Sequence, residues 1–330
     1  MKKTCSTIVF LSLVLLSFGQ TAHKYAVLKK FAIASAGGWD YIAAHDGKVY
    51  ASHGTQVNVL NENSGDSVGV IPNTLGVHGI AFNDALGKGY TSNGRANNVF
   101  VFDLKTNAVL DSIKTGTNPD AIMYEPFTKT IITCNGRSND LSLIDPATNK
   151  VIHTIPVGGK PETAVSNGKG MLYVNLEDKN EIASVDLKTF KVQAQWPLHA
   201  EGPTGLVLDT KTNRLFAGCD NKLVVLDATT GKLIDTLPIG AGCDGVAFDG
   251  KQDLIFTANG QDGTITVVQE QNANTFKVVD TVTTKRGART ITIDPQDGTL
   301  FLPTADFEQT ATTNGRPRMI PGTFQVLVVH

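Results

Sequence analysis

The chain has 330 residues, 41% apolar and 18% charged, a balance that can bury a substantial core and excludes an intrinsically disordered protein. Its formal charge of −2, from 29 basic and 31 acidic residues with no dense Lys/Arg run, gives no general attraction to nucleic acid or anionic membrane surfaces. Length leaves the domain count open, because repeat folds run well beyond ~150 residues as one unit.

Residues 1–24, "MKKTCSTIVFLSLVLLSFGQTAHK", place Lys2 and Lys3 before an apolar run from Ile8 to Phe18, followed by small and polar residues. That is the layout of a secretory signal peptide. The run is too short for the ~20 residues of a spanning helix, so no stable membrane insertion is expected. A signal over residues 1–19, cleaved near Gly19 or Ala22, implies a periplasmic or secreted protein of formal charge −4. No cysteine follows the apolar run to carry a lipid anchor. Cys5 leaves with the signal, and Cys134, Cys219 and Cys243 remain, without the C-x-x-C spacing of a zinc ribbon.

From here the chain repeats. Strand ends of the form apolar-x-apolar-Asp recur as "VNVLN" at Asn61, "VFVFD" at Asp103, "LSLID" at Asp145, "ASVD" at Asp186, "VVLD" at Asp227 and "TVVQ" at Gln269, at intervals of 42, 42, 41, 41 and 42 residues. This is the period of four-stranded propeller blades. A seventh copy, "ARTITIDPQDGTLFLPTAD", has its third strand delayed until "FQVLVV" at residues 324–329. Each unit alternates apolar residues between Gly, Asn and Asp turns, and no stretch carries a helical period. The N-terminal "YAVLKKFAIAS" resembles the fourth strand of a unit, and the C-terminus lacks one. The fold is therefore all-β: a seven-bladed β-propeller over residues 25–330, closed when residues 25–33 complete the last blade and leave no unpaired edge.

"YTSNGRANNVFVFDLKTNAVLDSIKTGTNPDAIMYEP", residues 90–126, resembles the YVTN repeat of YncE-like seven-bladed propellers, as does the ending "IPGTFQVLVV" at residues 320–329. The likeness spans residues 25–330. It departs at "TSNG", "TCNG" and "TANG", which carry a residue between Thr and Asn, and at "YVNLED", which lacks the Thr. The Trp-Asp strand ends of WD40 repeats are absent. The resemblance implies an exported propeller and no single reaction.

In a propeller the first strands surround the central channel, and their starts form a ring. In register these are Asp40, His78, Asp120, Glu162, Thr204, Asp244 and Arg289. Crowded carboxylates raise one another's pKa, which a cation relieves. The ring is the expected ligand-binding surface. Asp40, His78, Asp120 and Asp244 are candidate ligands for a divalent metal ion, while His78 and Asp120 are a candidate acid–base pair for hydrolysis. Polar residues there also serve to bond backbone amides of the adjacent blade. Arg95 and Arg137, at equal register in "NGRANN" and "NGRSND", are added as a candidate fork for a carboxylate or phosphate.

Asn93, Asn135 and Asn259 close second strands before Gly, a context that points to turns with positive φ. His45, His53, His153 and His199 are read as surface histidines. Residues 304–323 form the longest insertion, expected to fold over the channel mouth and present Asp306, Glu308, Arg316 and Arg318. Cys219 and Cys243 approach the rim on neighbouring units and are expected to be bonded, leaving Cys134 as a buried thiol. Only Trp39 and Trp196 are there to stack a quinone, and no C-x-x-C-H attaches haem.

The reading is a monomeric exported propeller acting as a binding or scaffold module for a small molecule, ion or protein partner at the channel face. The alternative is a lactonase-like hydrolase using the same ring. A third class, the subunit of a secreted complex, predicts an exposed apolar patch on one face.

Overall fold

A computed structural model describes residues 25–311 and 317–330 of the chain. The signal segment and Arg316 lie outside the described residues. Seven four-stranded antiparallel sheets are arranged as blades. Their first strands are Trp39–His45, Val77–Asn83, Pro119–Glu125, Pro161–Ser166, Gly205–Asp209, Cys243–Asp249 and Thr292–Ile293. The last blade runs Thr292–Ile293, Leu300–Thr304, Gln325–Val329 and finally Val27–Ala32, which pairs antiparallel with Gln325–Val329. The N-terminal strand thus closes the ring as the sequence predicts.

Burial follows the radial position of each strand. Second strands such as Thr130–Asn135 and Leu254–Asn259 are buried at every residue, because both faces meet neighbouring sheets. Outermost strands such as Val109–Lys114 bury one residue in six. Each junction between blades has its own apolar cluster. Ile132, Leu141 and Leu143 of the third blade, for example, meet Leu172, Val174 and Val185 of the fourth. Burying each such side chain contributes about 1.5–3 kcal/mol.

The Asp that marks the repeat has a local cause. Asp103 accepts hydrogen bonds from the amides of Lys105 (3.0 Å) and Thr106 (2.8 Å) and from the Thr106 hydroxyl (2.9 Å). Asp227 does the same for Thr229 and Thr230. The carboxylate thereby caps the turn between third and fourth strands, and these bonds hold the Asp103 carboxyl below its ordinary range.

The asparagines of the "NG" segments do not work through positive φ. Asn93 and Asn135 are wholly buried at the ends of second strands, with their side chains tied to the third strand: Asn135 Nδ2 donates to Asp140 Oδ1 at 2.7 Å and to Ser142 Oγ at 2.9 Å. The left-handed residues are Asn97 and Asn139, four positions later. His53 occupies the same register in the first blade. It is buried rather than on the surface, stacked on Phe324 at 3.7 Å with Nε2 bonded to the Gly37 carbonyl. Burial lowers its pKa. Cys134, Cys219 and Cys243 are free, buried thiols, so the bond expected between Cys219 and Cys243 is not formed.

Candidate functional site

A backbone irregularity recurs where the first strands begin. Pairing between first and second strands shifts register between Trp39 and Ile42, Val77 and Ile80, Pro119 and Ile122, Pro161 and Ala164, and Cys243 and Gly245. Bulges re-aim side chains. The displaced positions include Asp40, His78, Asp120, Glu162 and Asp244, five of the seven residues predicted to form the ring. In the first two blades a serine supports the bulge: Ser52 Oγ accepts from the Asp40 amide and donates to the Tyr41 carbonyl, and Ser92 Oγ accepts from the Gly79 amide and donates to the Asp120 carbonyl.

The ring side chains form a connected network. His78 Nδ1 is hydrogen-bonded to Asp40 Oδ2 and lies 3.6 Å from Asp120 Oδ1. Arg289 donates from Nη2 to Asp40 Oδ1 (3.3 Å) and the Trp39 carbonyl (2.8 Å), and from Nε to Asp244 Oδ2 (2.6 Å). Its guanidinium sits over the Trp39 ring, 5.9 Å from the centroid. Across the mouth, Lys160 pairs with Glu177 and with Glu162 at 3.4 Å. Thr204 donates to the Cys243 carbonyl at 3.0 Å, a structural bond between blades. Tyr41 lies beneath, its hydroxyl 3.3 Å from that of Thr163.

Electrostatics at the ring are those of crowded acids. Burial raises the Asp120 carboxyl to about 7, against the pull of His78 and with the push of Asp40. Glu162 is raised well above its ordinary value by burial and by Asp120. Asp244 is raised by burial, and Arg289 partly offsets this. Burial acts to lower the His78 pKa, but the Asp40 hydrogen bond and the Asp120 charge prevail and raise it. The buried Asp120 Oδ1 has no hydrogen-bond partner, and the buried Glu162 Oε2 has the Lys160 ammonium at 3.4 Å.

Above the ring lies a cavity of about 840 Å³ whose lining includes Trp39, Glu177, Asp244, Arg289, Phe307 and Met319. Phe307 and Met319 come from the insertion, which forms a hairpin of Phe307–Ala311 and Pro317–Met319. Phe307 packs on Trp39 at 6.1 Å between ring centroids. Asp306 is turned to Lys285 and Gln325 at the base of the hairpin, and Glu308 and Arg318 are exposed. Below the ring the channel becomes apolar, with Met123, Leu208, Phe248 and Ile293 lining a second cavity of about 440 Å³.

Arg95 and Arg137 are exposed on loops between second and third strands, and no described ion pair joins them to the ring. Sequence reasoning did not single out Lys160, Glu177, Tyr41 or Phe307 as members of the site. Lys160 stands two residues before Glu162, a strand-like spacing that puts both on one face. Most exposed large apolar residues, such as Leu28, Val70, Leu110, Ile152 and Leu233, lie on the outermost strands of different blades, while Leu75, Leu86, Phe127 and Ile320 lie between strands. No helix among the described residues is long and apolar enough to cross a membrane.

The model of the family described as outer membrane protein assembly factor BamB matches residues 95–316. A search of curated proteins finds no match. Among solved structures, the chain is similar to the hydrazine synthase of Kuenenia stuttgartiensis, at 14% identity and a TM-score of 0.73, covering 80% of this chain and 92% of that one. It is likewise similar to the WD40 repeats of RRP9, at 8% identity and a TM-score of 0.77, covering 92% of this chain and 97% of the other. At such identities the likeness speaks to the fold alone.

Proposed function

Because the chain belongs to the family of the outer membrane protein assembly factor BamB, whose model covers residues 95–316, we propose that it is a binding module of the cell envelope that receives its ligand at the mouth of the propeller channel. The observation that carries this reading is the cavity of about 840 Å³ above the ring, with a charged floor at Asp244 and Arg289 and an apolar wall at Trp39, Phe307 and Met319. A concave site with an apolar wall and a few convergent polar groups suits a small molecule, or one projecting side chain of a protein partner. Circumferential scatter of the exposed apolar residues argues against a broad flat interface. The unit "YTSNGRANNVFVFDLKTNAVLDSIKTGTNPDAIMYEP" and the ending "IPGTFQVLVV" favour a YVTN-repeat, YncE-like propeller. The Lys2–Lys3 start and the apolar run after it favour export to the periplasm with cleavage near Gly19 or Ala22.

The test is a melting screen of the exported chain against charged amino acids, amines, short peptides and metal salts, repeated on Phe307→Ala and Asp244→Asn. A ligand that raises the Tm of the parent and loses at least tenfold in affinity in both variants supports the reading. A ligand or cross-linked partner that is indifferent to both, with contacts mapping to outermost strands such as Val109–Lys114, overturns it. N-terminal sequencing of the exported protein checks the cleavage position.

A further inference from the structure

We propose that Asp40, His78 and Asp120 form a site for one divalent transition-metal ion of the zinc or manganese class, an inference that rests on the channel mouth being the ligand-binding face. Their donor atoms, one imidazole nitrogen and two carboxylate oxygens, all lie within 4.8 Å of one another. A metal ion about 2.0–2.2 Å from each ligand separates its donors by roughly 3–3.6 Å. Asp120 Oδ1 and His78 Nδ1 are already 3.6 Å apart.

Three features distinguish this from a chance gathering of acids. Asp120 retains 7% of its surface, and its Oδ1, the atom nearest His78, has no hydrogen-bond partner. A buried carboxylate oxygen without a donor is costly, and a cation relieves it. The ligands also come from three consecutive blades at one register, each placed in a bulge, and the first two bulges are pinned by Ser52 and Ser92. Finally, Asp40 is oriented from behind: Arg289 holds Oδ1 at 3.3 Å and leaves Oδ2 facing the histidine. Such outer contacts fix ligand geometry in metal sites.

Charge favours the same occupant. Five carboxylates, Asp40, Asp120, Glu162, Glu177 and Asp244, surround the mouth against three permanent cations among the described residues, Lys160, Arg286 and Arg289. An imidazole among the donors favours zinc and its neighbours over calcium and magnesium, which take oxygen ligands, while the two carboxylates also admit manganese. Metal entry replaces the proton shared between His78 Nδ1 and Asp40, so binding releases that proton to solvent. Asp244, the fourth residue expected from the sequence, stays with Arg289 outside the set. Three protein ligands leave a coordination position for a ligand group arriving from the mouth.

The experiment uses the chelator-stripped chain and titrates ZnCl2, MnCl2 and CaCl2 by calorimetry, with Co2+ absorption reporting the donor set. One Zn2+ binds per chain in a buffer-dependent reaction that releases protons, and Ca2+ binds at least 100-fold more weakly. Asp120→Asn and His78→Gln each weaken Zn2+ at least tenfold and alter the Co2+ spectrum, while His153→Ala, at an exposed histidine, changes neither. Circular dichroism of each variant confirms the fold; if one fails to fold, the other decides. Absence of Zn2+ binding, equal affinity for Ca2+, or Zn2+ affinity unchanged in both ring variants overturns the metal site. Ligand binding at the mouth in excess chelator would then leave the proposed function standing, and loss of both would remove it as well.

Discussion

Replacing Arg289 with alanine tests whether the ring is an electrostatic clasp across the closure of the propeller. The residue stands just ahead of the last blade's first strand and reaches both neighbours, through Asp244 on one side and Asp40 with the Trp39 carbonyl on the other. Removing one partner from a fully buried pair costs about 3–5 kcal/mol. Here the Arg289 and Asp244 side chains keep 34% and 28% of their surface, and solvent screening reduces the expected cost to about 2 kcal/mol. Over roughly 300 ordered residues, an unfolding entropy of about 2.1 cal/mol/K per residue converts this to a Tm loss of about 3 °C. Packing over Trp39 is separated from charge by Arg289→Met, which keeps most of the stem, and by the double variant with Asp244→Asn, which removes the stranded carboxylate. The charge account also fixes a pH dependence. Burial raises the Asp244 pKa and Arg289 opposes it, so in the variant this carboxyl titrates higher still. A raised folded-state pKa contributes stability below the unfolded value that disappears as pH rises through the folded one. The gap between parent and Arg289→Ala therefore widens from pH 5 to pH 8. Calorimetric melts of the chelated proteins at both pH values measure it; a gap under 1 °C, or one equal at both, refutes the clasp.

Asp120, raised to about 7, makes the metal-free protein lose stability as pH climbs from about 4 through 7; Asp120→Asn flattens that slope and is more stable at pH 8 by of order 2 kcal/mol, read by urea denaturation of chelated samples. Gly260→Ala brings a Cβ to 2.5 Å from the Arg289 Cβ and 3.1 Å from its Cα, so backbone must shift and about 2 kcal/mol is lost. Gly136→Ala, at the same register, meets first the flexible Lys160 chain at 3.4 Å and stays within about 0.5 kcal/mol of the parent; equal effects at the two sites would contradict the packing argument. Deleting the chain through Ala32 exposes the Gln325–Val329 edge and removes the buried Phe31 and Tyr25, at about 3–6 kcal/mol against a total stability of about 5–15 kcal/mol. Light scattering should show aggregation that a peptide spanning residues 24–35 suppresses, and a soluble truncated monomer would disprove the closure argument.

The architecture was legible because a blade cannot bury its faces alone, so every unit repeats the same pattern, and four of them carry the same turn-capping Asp at 103, 145, 186 and 227. The ring positions were legible for a related reason: side chains in register at or just before the starts of the first strands must face one channel. What escaped prediction depends on contacts between units. His53 looked exposed because it precedes Gly54 in a turn-like segment, yet its register is that of Asn93 and Asn135, and the neighbouring blade supplies Phe324 to cover it. A comparison by register would have placed it inside. Cys219 and Cys243 satisfy the sequence conditions for a bond, but pairing requires side-chain directions that strand position alone does not set. Phe307 entered the site through a hairpin with no counterpart in other blades, so no repeat-based inference reached it.

Positions that build a blade and positions that line its mouth also vary differently. Second strands end in Asn at 93, 135 and 259, since each must tie the second strand to the third. Five ring positions hold Asp, His and Glu on nearly the same bulged backbone, because a bulge takes its residue out of sheet pairing and frees the side chain from the demands of the ladder. Fold and binding chemistry are thereby separable within one repeat. The residue between Thr and Asn follows the same logic: Ser92 bonds both the bulge that carries His78 and the carbonyl of Asp120 in the next blade, while Cys134 and Ala258 stand at the same register in their own blades. The hydroxyls at Ser52 and Ser92 fall in the two blades that supply Asp40 and His78. Support for the backbone is thus concentrated where the ring residues must be held in one fixed geometry, the arrangement that a preorganised binding site requires.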